Sequence, residues 1–159
     1  MQRTPLPAGV VAWTQDAAQH TLWLATDHRL TEYDARGRTM TSFALPDAPT
    51  AMAYDASSGQ IWMAFANHQV ARYTPSGQQT LQTPRPTMAS GPMAADGAGG
   101  LWIAGRTHVV HLDAEGYVRV RTAVMPETDA SATSTSTASI QALAVDPIAH
   151  GAWVKTPTR

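Results

Sequence analysis

Residues 91–104, GPMAADGAGGLWIA, place a turn-prone Asp-Gly segment immediately before a short apolar run centred on a tryptophan. The same layout occurs three more times, as WTQDAAQHTLWLA (13–25), MAYDASSGQIWMA (52–64) and LAVDPIAHGAWVK (143–155). Aligned on the aspartate and the tryptophan, the pairs are Asp16–Trp23, Asp55–Trp62, Asp96–Trp102 and Asp146–Trp153. The separation is seven residues in three units and six in the unit that holds Asp96. Three residues before each Asp stands a large apolar side chain (Trp13, Met52, Met93, Leu143), and apolar residues flank Trp23, Trp62, Trp102 and Trp153. A unit that repeats in this way is one supersecondary element that buries its apolar face only by stacking on its neighbours.

A second shared piece follows in the first three units: HRLTEYDARG (28–37), HQVARYTPSG (68–77) and THVVHLDAEG (107–116), each ending in a glycine turn. Its alternation of apolar and polar residues predicts a half-buried strand. A third piece runs to a proline: RTMTSFALP, QQTLQTPRP and YVRVRTAVMP. No stretch carries a sustained helical period, and Gly, Pro, Asp and Ser punctuate the chain every eight to twelve residues. Each unit therefore reads as four short antiparallel strands. Four strands in about 40 residues is the period of a β-propeller blade, and the first two Trp-to-Trp intervals are 39 and 40 residues. The third is 51, because PETDASATSTSTAS (126–139) is inserted. Low-complexity and without aromatics, that insertion predicts a flexible loop.

The expected architecture is all-β, a propeller of about three and a half blades in an incomplete ring. Its parts are the tail of a preceding blade (1–7), blades at 9–46, 49–86 and 90–126, an insertion at 127–139 and an incomplete blade at 140–159. Leu6-Pro7 precedes Asp16 by the interval that separates Leu45-Pro46 from Asp55, so the first residues match the end of an outer strand. The fourth unit supplies only two strand-like pieces. Such an arc exposes apolar blade faces and unpaired edges. The partners to expect are the remaining blades of a parent protein, or a second copy meeting it through the open edges.

Composition narrows the function classes. Lys and Arg total 11 against 12 acidic residues, a net charge of −1, so no basic stripe is available to follow a phosphate backbone and nucleic acid is not expected as a partner. The longest apolar run is too short to span a membrane. The absence of cysteine removes disulfides, thiolate metal sites and a thiol nucleophile, without fixing the compartment.

The segments SGPMAADGAGGLWIA and VARYTPSGQQTLQTP resemble those of streptogramin (virginiamycin B) lyase-like propellers and of the related NHL-type and gluconolactonase-like propellers. The resemblance spans nearly the whole chain and concerns the blade scaffold. Similar repeats occur in large bacterial surface proteins, and an extracytoplasmic or cell-surface setting is favoured over the cytoplasm. The lyases use a metal-binding set of His and Glu; this chain has no matching His–x–Glu grouping, and its glutamates are Glu32, Glu115 and Glu127. After the Trp strand it carries ATDHRL, AFANHQV and AGRTHVV in place of the fuller NHL signature.

Candidate site residues follow from the same columns. His28, His68 and His108 recur just after the Trp strand, beside Asp27, Asn67 and Arg106, where binding loops of a propeller gather. His108 is one residue out of register, because Thr107 aligns with His28 and His68, so these groups are expected as polar turn residues of a ligand face and not as a metal site. His111 aligns with Glu32 and Arg72 and is expected as an exposed strand residue. The four aspartates are expected to hold their own turns, and the four tryptophans to fill the wedge between blades. GAGG (97–100) has no helix or Lys after it to meet a phosphate. No catalytic residue and no cofactor are assigned. The reading is a non-enzymatic binding or scaffold segment of a larger bacterial protein; the alternative is part of a metal-dependent propeller lyase or lactonase with an incomplete catalytic set.

Overall fold

The computed structural model describes residues 7–83, 91–124, 140, 142–146 and 151–155. Among them every regular element is a strand. The first unit forms β1 (Ala12–Asp16), β2 (Thr21–Thr26), β3 (Arg29–Tyr33) and β4 (Thr39–Ala44). The second forms β5 (Pro49–Asp55), β6 (Gln60–Phe65), β7 (Val70–Tyr73) and β8 (Gln79–Gln82). The third forms β9 (Met93–Ala95), β10 (Leu101–Ala104), β11 (His108–Leu112) and β12 (Val118–Ala123). From the fourth come β13 (Ala142–Asp146) and β14 (Gly151–Lys155). The first three units are four-stranded antiparallel meanders in chain order, and β13 pairs with β14 alone. Successive sheets meet through their innermost strands, β1 against β5, β5 against β9 and β9 against β13. That is the radial arrangement of a propeller, here an open arc of three blades and the inner half of a fourth.

The pleat decides which residue faces which neighbour, because alternate side chains point to opposite faces of a sheet. On β6, Ile61, Met63 and Phe65 pack toward the first blade with Trp23, Ala25 and Leu30, while Trp62 and Ala64 pack toward the third blade with Leu101, Ile103 and Val110. Trp102, Ala104 and Val109 turn in the same sense toward Ile140 and Leu143. Trp23 and Trp62 thus each meet the flanking apolar residues of the next Trp strand, while Trp102 meets Ile140 and Leu143. Trp23 and Trp62 are 1% and 0% exposed. Burying one aliphatic partner of this kind contributes about 1.5–3 kcal/mol, so the seams hold the arc together.

The seams repeat in finer detail. The β3–β4, β7–β8 and β11–β12 pairings each carry a register shift at the same place, between Glu32 and Tyr33, Arg72 and Tyr73, and His111 and Leu112. A bulge there increases the twist of the outer strands. Gly77, at φ +89°, lies so close to Phe43 of the preceding blade that a Cβ would sit 2.6 Å from the ring. Gly116 stands in the same relation to Leu81, at 2.8 Å. Positive φ and the absence of a side chain are both required at these hairpins, which is why glycine recurs there. The seam also engages β8, where Leu81 packs against the next blade.

The outcome differs from the sequence reading at two apolar positions. Trp13, expected to behave like Met52, is 61% exposed, and Trp153 is 73% exposed. Both lie on blade faces against which no described residue packs. The insertion at 127–139, residues 1–6 of the tail and residues 147–150 lie outside the described residues.

Candidate functional site

The residues with chemistry fall into two sets at opposite ends of the blades. At one end are the turns that follow the first strand of each blade. Asp16 and Asp55 are buried, as is Asp96, at 4%, 0% and 5% exposure. Each carboxylate accepts hydrogen bonds from backbone amides of its own turn. Asp16 takes those of Ala18 and Gln19 at 2.9 and 3.2 Å, Asp55 that of Ser57 at 3.0 Å, and Asp96 those of Ala98 and Gly100, both at 2.8 Å. A short acidic side chain satisfying its own backbone is the physical content of the Asp column.

The remaining capacity of each carboxylate is met differently. Asp55 accepts the hydroxyls of Ser57 and Ser58 at 2.7 and 2.6 Å. Burial, together with the neighbouring Asp16 carboxylate of blade one, pushes the Tyr54 pKa up to about 12. The Tyr54 amide donates to Thr14 Oγ1 at 3.0 Å, which fastens blade two to blade one. Asp96 pairs with His111 Nε2 at 2.8 Å. Burial pushes the Asp96 carboxyl up, but the imidazole and the two amides outweigh it and hold its pKa below the ordinary value.

His111 is therefore not the exposed strand residue expected from alternation. Its ring stacks on Trp102 with centroids 4.5 Å apart and planes at 22°. The cross-strand register gives the reason, since Trp102 lies directly opposite His111, as Trp62 does Arg72 and Trp23 does Glu32. Arg72 uses the same position to set its guanidinium 5.0 Å over the Trp62 ring and to donate to the Gly99 carbonyl of blade three at 3.3 Å. The Asp96–His111 pair, stacked on Trp102, binds the Asp96 turn to strand β11. Its chemistry is that of a clip.

At the other end are the β2–β3, β6–β7 and β10–β11 hairpins, with the six ligand-face candidates. Asp27, His28, Asn67 and Arg106 are exposed, and His68 and His108 are half-buried. The structure does not give the three histidines one role. The His28 carbonyl accepts the Leu45 amide at 2.8 Å, and Thr107, not His108, does the same for Val124 at 2.9 Å. His68 adopts φ 62° in its turn. The His108 ring folds back on Gly105, where a Cβ would lie 2.6 Å from Cε1. Asn67 uses its side chain to accept the Gln69 amide at 3.0 Å. Among the described residues no group of three or more His, Asp or Glu is placed to hold a metal ion.

A cavity of about 610 Å³ lies on the outward face of the first blade, lined by residues that include Asp16, His20, Leu22, Leu24, Tyr33 and Gly37. The repeat columns do not reveal this cavity, because they do not show which blade faces are left open.

No protein-family model and no curated protein matches the chain. Solved structures do. Over 89% of its length the chain superposes on the WD40 repeats of RRP9 with a TM-score of 0.65 at 12% identity, covering 44% of that chain. The U3-55K structure gives a TM-score of 0.67 with the same identity and coverage. Hydrazine synthase of Kuenenia stuttgartiensis matches 70% of the chain with a TM-score of 0.55 at 20% identity, over 34% of its own length. The chain is a β-propeller fold and spans less than half the length of these similar structures. Among the described residues no helix is long and apolar enough to cross a membrane.

Proposed function

We propose that this chain is a non-enzymatic binding scaffold, a propeller segment of a larger bacterial protein related to the streptogramin lyase-like and NHL-type propellers. Blades at 9–46, 49–86, 90–126 and 140–159 form its repeating frame. The ligand face is the hairpin rim carrying Asp27, His28, Asn67, His68, Arg106 and His108. One observation carries this reading: the buried carboxylates of Asp16, Asp55 and Asp96 are each engaged by their own turns and a structural partner. Exposed polar groups on the hairpin rim are then what remains for recognition.

The test is capture of partners from the source cell by the wild-type chain and by a triple variant, Asp27→Ala, Asn67→Ala and Arg106→Ala. A specific partner retained by the wild type and lost by the variant is the expected result. Stoichiometric divalent metal that disappears on changing His28 or His68, with turnover of a small cyclic ester, would contradict it and favour a lyase or lactonase.

A further inference from the structure

We propose that the outer part of the second blade is a recognition surface for a neutral saccharide, read by an array of side-chain amides on β8 and on the hairpin before β7. It goes beyond the scaffold reading above by adding a second surface, which shares Asn67 with the rim.

The three complete blades share a core and differ in what they carry outside it. Over its last three strands blade one (21–44) holds six charged side chains, and blade three (101–123) holds five. Neither stretch contains an Asn or a Gln. Blade two (60–82) inverts this. Its one charged residue is Arg72, and it carries Gln60, Asn67, Gln69, Gln78, Gln79 and Gln82, six of the ten side-chain amides in the chain. The fold does not require the exchange. Asp34 with Arg38 and Asp113 with Arg119 clasp the outer hairpins of blades one and three, whereas Thr74 accepts the Gln78 amide at 3.1 Å and closes the same turn without charge. Blade two also lies between two described blades, β1 against β5 and β5 against β9, so this surface is an outward one and not an uncovered seam.

The amides form a connected chain. The register sets Gln79 opposite Tyr73 and Gln82 opposite Ala71, on the side of blade two that looks toward blade one. The Tyr73 phenol donates to Gln79 Oε1 at 3.0 Å, and Gln79 Nε2 donates to Gln82 Oε1 at 3.3 Å. Gln82 Nε2 donates to Gln69 Oε1 at 2.8 Å, and Asn67 Nδ2 to the same oxygen at 3.1 Å. Asn67 Oδ1 accepts the Gln69 backbone amide at 3.0 Å. Every oxygen of the chain is thus engaged. Each amide nitrogen carries two N–H groups, and Gln69, Gln79 and Gln82 each use at most one of them among the described residues. Gln79 and Gln82 are exposed and Gln69 is half-buried. What the array offers a ligand is a row of N–H donors.

The chemistry of the ligand follows from that row. It must bring acceptor oxygens. The array holds no cation to favour an anion, since Arg72 is turned over Trp62 toward the Gly99 carbonyl of blade three. No large apolar side chain of β6, β7 or β8 is exposed, so the surface lacks the anchors that carry most protein interfaces. An uncharged ligand dense in hydroxyl and ring oxygens meets all three conditions.

The test is a glycan array probed with the labelled full chain, followed by NMR titration of the strongest neutral oligosaccharide against nitrogen-labelled protein. The expected result is binding to neutral oligosaccharides, with the side-chain amide signals of Gln69, Gln79 and Gln82 shifting and those of Gln15 and Gln19 unmoved. Gln79→Ala combined with Gln82→Ala should weaken binding roughly tenfold, the effect of losing one to two net hydrogen bonds. Both residues are exposed, so the circular dichroism of this variant should match the wild type. Asp27→Ala with Arg106→Ala, which spares the array, should leave glycan binding unchanged. The absence of any neutral glycan among those bound overturns the inference. So does binding confined to acidic glycans, binding that the double Gln variant leaves intact, or shifts confined to amides outside the array. A chain that captures its protein partner and binds no glycan sinks only this inference, and one that binds a glycan through the array and captures no partner sinks only the rim reading.

Discussion

Trp62 and Trp153 hold the same position in their blades, seven residues after the turn aspartate in both cases, and their surroundings are opposite. Trp62 is fully buried between Arg72 of its own blade and the Leu101, Ile103 and Val110 face of the next, while Trp153 is 73% exposed. The same residue in the same local pattern is a core residue at one place and a surface residue at the other. What differs, among the described residues, is the presence of a following blade. In a repeat fold the local unit sets where a side chain points, and its neighbour sets whether that side chain stabilises anything.

The largest expected effect tests the occupied side of this contrast. Trp62→Ala removes a fully buried indole and should cost about 3–5 kcal/mol, read as a lowered urea midpoint. Trp62→Phe, which keeps part of the packing, should fall well short of that loss. Next is the deletion in the third turn. Gly100→Ala would drive a Cβ into the Asp96 carboxylate and the Leu112 carbonyl, and should cost about 1–3 kcal/mol.

The clip of blade three comes third. His111→Ala removes both the Asp96 hydrogen bond and the stack on Trp102, and a loss of about 1–3 kcal/mol is expected from leaving a buried carboxylate short of a partner. Its pH dependence has a defined sign. Because folding lowers the Asp96 pKa from 3.8, its stabilisation is present above that value and is lost as the pH falls through the lower folded one. Asp96→Asn should flatten this acid limb in a series of thermal melts, whereas a limb that stays unchanged would assign it to other carboxylates. A smaller effect is expected at His20, which takes φ 55° where blade two has Gly59 at 67°. His20→Gly should be stabilising by no more than about 1 kcal/mol, since relief of left-handed strain is offset by the greater freedom of glycine when unfolded.

Much of this was legible in the sequence, and the limits are physical. The Asp, Trp and Gly columns are fixed by local requirements, a turn that needs a short acceptor and a hairpin that needs positive φ, so they repeat visibly. Even the shortened turn of the third unit can be traced to GAGG, where Gly97 and Gly99 take positive φ and Gly100 has no room for a side chain. His111 was misread because alternation gives the face of a strand but not the ring lying across from it. Registering the hairpin on its glycine would have placed His111 opposite Trp102. Arg72 and Tyr54 escaped for a related reason: their partners, Gly99 and Asp16, belong to other blades. For the rim the sequence located Asp27, Asn67 and Arg106 on the hairpins, and the register offset of His108 was visible as well. Exposed apolar blade faces were expected of an incomplete arc, but that Trp13 and Trp153 carry them depends on neighbours that the local pattern does not encode.

The contrast between the two tryptophans is tested most directly by paired urea unfolding of Trp62→Ala and Trp153→Ala. The expected result is a large loss of stability for Trp62→Ala and a change within about 0.5 kcal/mol for Trp153→Ala. Equal losses would contradict the account, because they would mean that the indole column stabilises each blade from within and not through the seam with the next.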